Sequence, residues 1–192
     1  MTVAQIFLIR HGRPARGIDG FDPGLSEQGI LHSKSIAAFL GARKISAIYA
    51  SPLKRAHQTA EPLASAAKTK LTLLDGLAEA DKNNHYTFAE DTMTNPAEWA
   101  KFQNDPIGYL GGNHAEFVTT VLDAFQTIRD ANHTDNVVVY THAIPINIVL
   151  ADALGLDGVL NFIPHYCSIS RIKALSLNAT KVISVNETAH LG

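Results

Sequence analysis

Four short stretches of the chain carry side chains that could together handle a phosphate ester: Arg10-His11-Gly12, Leu77-Ala78-Glu79, Arg55 and His142. Phosphoryl transfer without a metal needs a nucleophile, several cationic donors for the phosphate oxygens, and an acid to protonate the departing alkoxide. A neutral imidazole can attack phosphorus when its other ring nitrogen is hydrogen-bonded and the tautomer is thereby held. His11 is the candidate nucleophile, with Arg10 as a neighbouring cation. Gly12 is expected to let the backbone turn tightly and come close to a ligand. Arg55 can hold phosphate through two parallel N–H bonds, which a lysine cannot do. His142 would act as a charged donor once phosphate is bound, and Glu79 as the general acid. Singly, each has a plainer reading: a histidine closing a strand, a solvated helix charge, a loop carboxylate.

The surrounding elements must aim these groups. Val3 to Ile9 is apolar and rich in β-formers and stops at Arg10-His11-Gly12, which predicts a buried strand. A Gly/Pro/Asp-rich loop follows to Gly24. Ser26 then reads as the N-cap of a helix running to about Leu40, with Gly41 near its end. Ile45 to Ala50 reads as a strand. Ser51-Pro52 is expected to open the next helix, with Ser51 as N-cap and Pro52 in its first position. That helix runs toward Lys68 and should kink or break at Pro62. Arg55 falls in its first turn, beside free N–H groups and the positive end of the helix dipole, where an anion would be favoured.

Leu71 to Leu74 is a short third strand, after which Glu79 is expected to overhang the sheet edge. From about 75 to 115 periodicity is poor, and the stretch reads as an excursion carrying short helices. Phe117, Val118, Val121, Leu122, Phe125 and Ile128 recur at helical spacing. Asn136 to Thr141 has a central-strand composition and ends in His142. Ile146 to Leu154 reads as a helix stopped by Gly155. Ser168 to Leu175 and Lys181 to Val185 read as two last strands, a hairpin around Asn178. The alternation predicts a three-layer α/β/α sandwich with a largely parallel central sheet, formed by residues 1–192 as one domain. Ligands of such sheets bind beyond the carboxyl ends of the strands, where two strands here end in histidine.

Several stretches resemble the histidine phosphatase (phosphoglycerate-mutase-like) superfamily. They are Leu8-Ile9-Arg10-His11-Gly12-Arg13-Pro14, Leu25-Ser26-Glu27-Gln28-Gly29, Ala50-Ser51-Pro52-Leu53-Lys54-Arg55-Ala56-His57-Gln58-Thr59-Ala60, and Leu77-Ala78-Glu79. Val137 to Ala143 and Tyr166-Cys167-Ser168-Ile169-Ser170 complete the set. The first and third are the most specific. The resemblance implies the superfamily's fold, His11 as phospho-acceptor, Arg10, Arg55 and His142 as the phosphate pocket, and Glu79 as proton donor.

The sequence also departs from the pattern. Ala143 follows His142 where the superfamily usually has glycine, and a Gly-Glu-Ser block appears here as Gly111-Gly112-Asn113-His114. The mutases would have asparagine five residues beyond Gly12, where this chain has Gly17. Their Glu-Arg-His-Tyr block is replaced by Glu79-Ala80-Asp81-Lys82. The resemblance therefore implies metal-independent hydrolysis of a phosphate monoester through phosphohistidine, with no cofactor. The rivals are a phosphoglycerate mutase, a phosphohistidine or phosphoprotein phosphatase, and a phosphate-binding regulatory module without turnover.

Composition narrows the partners. Sixteen Lys plus Arg against eighteen Asp plus Glu leave a net charge of −2, no footprint for nucleic acid or an anionic membrane. The expected partner is a small phosphorylated substrate. No signal peptide or membrane span is read, Cys167 is the only cysteine, and a cytoplasmic protein is expected. Cys167, beside His165 and Tyr166, reads as core rather than as a thiol site. None of the nine histidines forms a close ligand set, so no metal site is read. His32, His57, His114, His133 and His190 read as surface or supporting residues. Arg13 and Arg16, in the loop after His11, are further candidates for touching substrate.

Overall fold

Parallel sheets occur almost only with both faces covered, and this chain covers both with helices. The computed structural model describes residues 5–17, 19–132, 135–176 and 179–192. In chain order the elements are β1 (Gln5–Arg10), α1 (Glu27–Gly41), β2 (Ile45–Ala50), α2 (Lys54–Ala67), β3 (Leu71–Leu73), α3 (Ala89–Met93), α4 (Pro96–Asn104) and α5 (Pro106–Tyr109). Then come α6 (His114–Ala131), β4 (Asn136–Thr141), α7 (Ala143–Leu154), β5 (Ile169–Ser176) and β6 (Ala179–Glu187). The six strands lie in the order β3-β2-β4-β1-β5-β6. The first four run parallel, and β5 and β6 are antiparallel to their neighbours.

Alternation along each strand divides the core in two. Ile6 and Leu8 of β1 and Val137 and Val139 of β4 face α6 and α7, packing with Val121, Phe125, Ile128 and Ile148. Phe7, Ile9, Val138 and Tyr140 point the other way, onto Ile36 and Leu40 of α1 and Leu63 of α2. The result is the expected three-layer sandwich, its sheet mostly parallel. Residues 75–115 carry α3, α4 and α5, and Phe102, Ile107 and Leu110 from this stretch are buried in the cluster on the α6/α7 face.

Most expected boundaries hold, including the Ser26 cap, whose hydroxyl accepts from Gly29 N–H. Others move. Helix α7 starts at Ala143, three residues before the expected Ile146, because Pro145 falls in the first turn, where an N–H is not needed. Pro62 lies inside α2 without ending it. Gly155 caps α7 at φ 65°, a left-handed conformation that glycine adopts freely. β5 and β6 pair as the expected hairpin, with Asn178 outside the described residues, as is His133. Among the described residues no helix is long and apolar enough to cross a membrane.

Candidate active site

The register of the two central strands brings the histidines together. Arg10 of β1 pairs with Thr141 of β4, so His11 and His142, one residue further on, leave the sheet side by side. His11 N–H donates to Thr141 O at 3.0 Å, and the two imidazole centroids are 4.9 Å apart. Both rings are buried, at 2% and 0% exposure. His11 Nδ1 lies 2.8 Å from Gly12 O. A carbonyl can only accept, so the ring proton sits on Nδ1 and Nε2 presents a bare lone pair. Burial, then the charges of Arg55 and Arg10, hold the His11 pKa well below its ordinary value. The ring is neutral.

His142 is fixed from the opposite side. Its Nε2 is 2.8 Å from Ser51 Oγ, and Ser51 Oγ also accepts from Leu53 N–H at 3.2 Å. The serine proton is thus free to point at Nε2, which leaves the His142 ring proton on Nδ1, an atom without a partner. Burial lowers the His142 pKa as well, followed by Arg55, His11 and Arg10.

Two guanidinium groups complete the cationic side. Arg10 donates from Nη1 to Pro164 O at 2.6 Å and lies 3.9 Å above the Tyr166 ring. Arg55, at 0% exposure, donates from Nη2 to Asp81 Oδ1 at 2.7 Å and lies over Tyr86. Arg10 Nε, Arg55 Nε and Nη1, and His142 Nδ1 are buried without a hydrogen-bond partner among the described residues. Of the seven such atoms, these four belong to the three residues around His11. Unsatisfied buried donors are costly in a folded protein, and a cluster of them around His11 suits a multiply accepting anion.

Glu79 reaches the same place from β3. The 3-10 turn Asp75–Leu77 follows that strand, and Thr141 Oγ1 donates to Leu77 O at 2.7 Å, drawing the segment inward. Its carboxyl therefore lies over the centre of the sheet, not over the edge as the sequence suggested. It accepts from Ala80 N–H at 3.1 Å and from Ile144 N–H, in the first turn of α7, at 3.2 Å. Burial, with the charge of Asp81, raises its pKa from 4.5 to about 7. A cavity of ≈30 Å³ separates Glu79, Asp81, Arg10, His11, Tyr86 and Ile144. Tyr86 and Tyr166 flank His11, and their hydroxyls are 3.2 Å apart.

All five residues expected from the sequence thus gather around one point. Three expectations about their surroundings change. Ser51 does not cap α2, which starts at Lys54; its hydroxyl faces His142 instead. The start of α2 is already occupied by an anion, since Asp22 accepts from Lys54 N–H at 2.9 Å. Gly12 has no left-handed backbone; a Cβ there would meet Gly29 O at 3.0 Å, so its close approach is to the start of α1. Arg13 and Arg16 point at the excursion: Arg16 holds Asp91 through two bonds, and Arg13 lies 3.6 Å from Glu90. Cys167 is buried with its thiol pKa pushed up to about 12, in keeping with core. Tyr86 and Tyr166 were not singled out from sequence, and Asp81 was read only as the next carboxylate after Glu79. Asp81 and Tyr86 sit in the stretch without periodicity, and Tyr166 was visible only as part of a motif block. No group of three or more His, Cys, Asp or Glu suited to a metal occurs among the described residues.

Comparison with known proteins gives the chain's family and fold. Phosphoserine phosphatase 1 of Hydrogenobacter thermophilus is 26% identical over 99% of this chain and 95% of its own length. A bifunctional protein of Mycobacterium tuberculosis is 30% identical over 99% of the chain, which spans 56% of that longer protein. The solved mycobacterial glucosyl-3-phosphoglycerate phosphatase superposes with a TM-score of 0.78 at 19% identity, covering 97% of this chain and 100% of that one. The model of the histidine phosphatase superfamily (branch 1) matches residues 6–187, and the chain belongs to that superfamily.

Proposed function

We propose that the chain hydrolyses a small phosphate monoester through a phosphohistidine on His11, without a metal or other cofactor. The observation that carries this is the bare Nε2 of a neutral His11 faced by unpartnered donors of Arg10, Arg55 and His142. Those donors hold the phosphate oxygens. His11 Nε2 attacks phosphorus, the P–O ester bond breaks, and the leaving oxygen takes the proton of Glu79. Water then attacks the phosphohistidine, giving a proton back to Glu79; the N–P bond breaks and inorganic phosphate leaves. A carboxyl near 7 suits both roles at neutral pH.

A small ester is favoured over a phosphoprotein because His11 is 2% exposed beneath Tyr86 and Tyr166. The relative named for phosphoserine supports the same class. The whole chain acts as one domain in this reading, with the stretch at about 75–115 supplying Glu79, Asp81 and Tyr86. A cytoplasmic enzyme fits its single, buried cysteine. Brief reaction with a ³²P-labelled ester should leave label on the protein, labile to acid and stable to base. His11→Ala should lose label and turnover while remaining folded. Label retained in that variant would move the nucleophile elsewhere, with His142 the next candidate.

A further inference from the structure

A buried arginine that binds phosphate must be stopped from turning away when no phosphate is present, and one acidic side chain does this here. We propose that Asp81 is a positioning residue for phosphoryl transfer: it grips one arm of Arg55 and sets a negative charge beside Glu79. This rests on the function proposed above.

The geometry is specific. Asp81 is 2% exposed, and its Oδ1 accepts from Arg55 Nη2 at 2.7 Å, a bond between two buried charged groups. Burial raises the Asp81 pKa, and the Arg55 guanidinium beside it opposes that rise and favours the carboxylate. Among the described residues the one other acid within ion-pair distance of the guanidinium is Asp22, 3.7 Å from Nη1 and without a hydrogen bond to it. With Nη2 held, Nε and Nη1 remain as the free edge of the group. Asp81 also accepts from the backbone N–H of Thr87, next to Tyr86, whose ring lies under Arg55. One carboxylate therefore ties the phosphate-binding arginine to the segment that roofs His11. Arg55 meets Asp81 on one side and the Tyr86 ring at 4.5 Å on a face, which leaves it little freedom to turn.

Asp81 lines the same cavity as Glu79. The groups facing Glu79 there are Asp81 and Tyr86 from the excursion, His11 and Arg10 from the end of β1, Arg55 from α2, and Ile144 N–H from α7. The groups facing Asp81 are Arg55, Asp22, Thr87 N–H and, across the cavity, Glu79. Asp81 is the one acid in the first set, and its charge favours the protonated form of Glu79. In Asp81→Asn that support is lost while the shape of the side chain is kept. The unpaired charge of Arg55 then favours ionised Glu79 further.

The test uses Asp81→Asn and Asp81→Ala in the full chain, with an alkyl and a nitrophenyl phosphate monoester. In Asp81→Asn, carboxyl NMR of ¹³C-labelled glutamate should show Glu79 titrating lower than in the wild type. The high-pH limb of kcat/KM should move down with it. In Asp81→Ala, kcat/KM should fall roughly 10–100-fold on both esters through the loosened Arg55, with a further loss on the alkyl ester as Glu79 gives up its proton at lower pH. A merely structural role would lower thermal stability and leave the Glu79 titration where it was, and that result overturns the proposal. A loss confined to the alkyl ester also overturns it, because Asp81 would then be the proton donor. If Asp81→Ala does not fold, the titration in Asp81→Asn still decides. Absence of acid-labile label in the wild type would count against the phosphohistidine reading, whereas label with an unmoved Glu79 would count against Asp81 alone.

Discussion

Replacing Glu79 by glutamine should change how stability depends on pH. The carboxyl is 7% exposed, and its folded pKa is about 7 against 4.5 for an ordinary glutamate. A group raised on folding binds its proton more tightly in the folded state. Its contribution is therefore complete below the unfolded value and lost as the pH rises through the folded one. At about 1.4 kcal/mol for each tenfold change in proton affinity, the interval from 4.5 to about 7 amounts to about 3.5 kcal/mol. Most of that should disappear between about pH 5 and about pH 8. Glutamine cannot ionise, so the variant should lack this loss. His11 and His142, whose pKa values are lowered, act with the opposite sign, because the unfolded chain binds their protons more tightly. They are present in both proteins and largely cancel in the difference. The assay is urea denaturation followed by fluorescence of Trp99, the only tryptophan, at several pH values across this range. The stability of Glu79→Gln relative to wild type should rise with pH by about 2–3 kcal/mol. Parallel curves would refute the reasoning, since they would mean that Glu79 ionises in place at no cost.

Two further outcomes are expected from the same site. Wild-type kcat/KM on an alkyl phosphate should fall above about pH 7, where Glu79 loses its proton, and its low-pH limb should lie below the ordinary imidazole range. Glu79→Gln should slow alkyl esters by about 10²–10⁴-fold and nitrophenyl phosphate much less in the phosphorylation step, seen as a burst of nitrophenolate. Equal small losses on both esters would make Glu79 a bystander. Arg55→Lys keeps the charge but loses the planar N–H edge, so vanadate affinity, measured by inhibition, should weaken by roughly 1.5–3 kcal/mol. Unchanged inhibition would remove Arg55 from the pocket.

The candidate site residues were legible in the chain because each carries a short-range signature. His11 and His142 stand where apolar strand runs stop, and Arg55 follows a strand and a helix start. Ser26 caps α1 through a bond to Gly29 N–H, an interaction spanning three residues. Such signals depend on φ/ψ preference, side-chain alternation and local hydrogen bonds, which a chain expresses wherever it folds. The Ser51 cap was misread for the same local reason: Ser-Pro ahead of a helix has the composition of a cap. Its hydroxyl was instead drawn to an imidazole 91 residues away.

Sequence alone determined the strand ends, the two covered sheet faces and the identity of the five principal side chains. Tertiary structure decided what those side chains can do. Pairing Arg10 with Thr141 sets His11 beside His142, a consequence of β1 and β4 being neighbours although most of the chain separates them. The excursion has no periodicity to announce its fold, yet it brings Asp81 to Arg55 and Tyr86 under that guanidinium. Burial then keeps the His11 ring neutral and raises the Glu79 carboxyl to about 7, as the proposed roles of nucleophile and proton donor require. Desolvation is a property of everything packed around a group, and no residue's neighbours in sequence contain it.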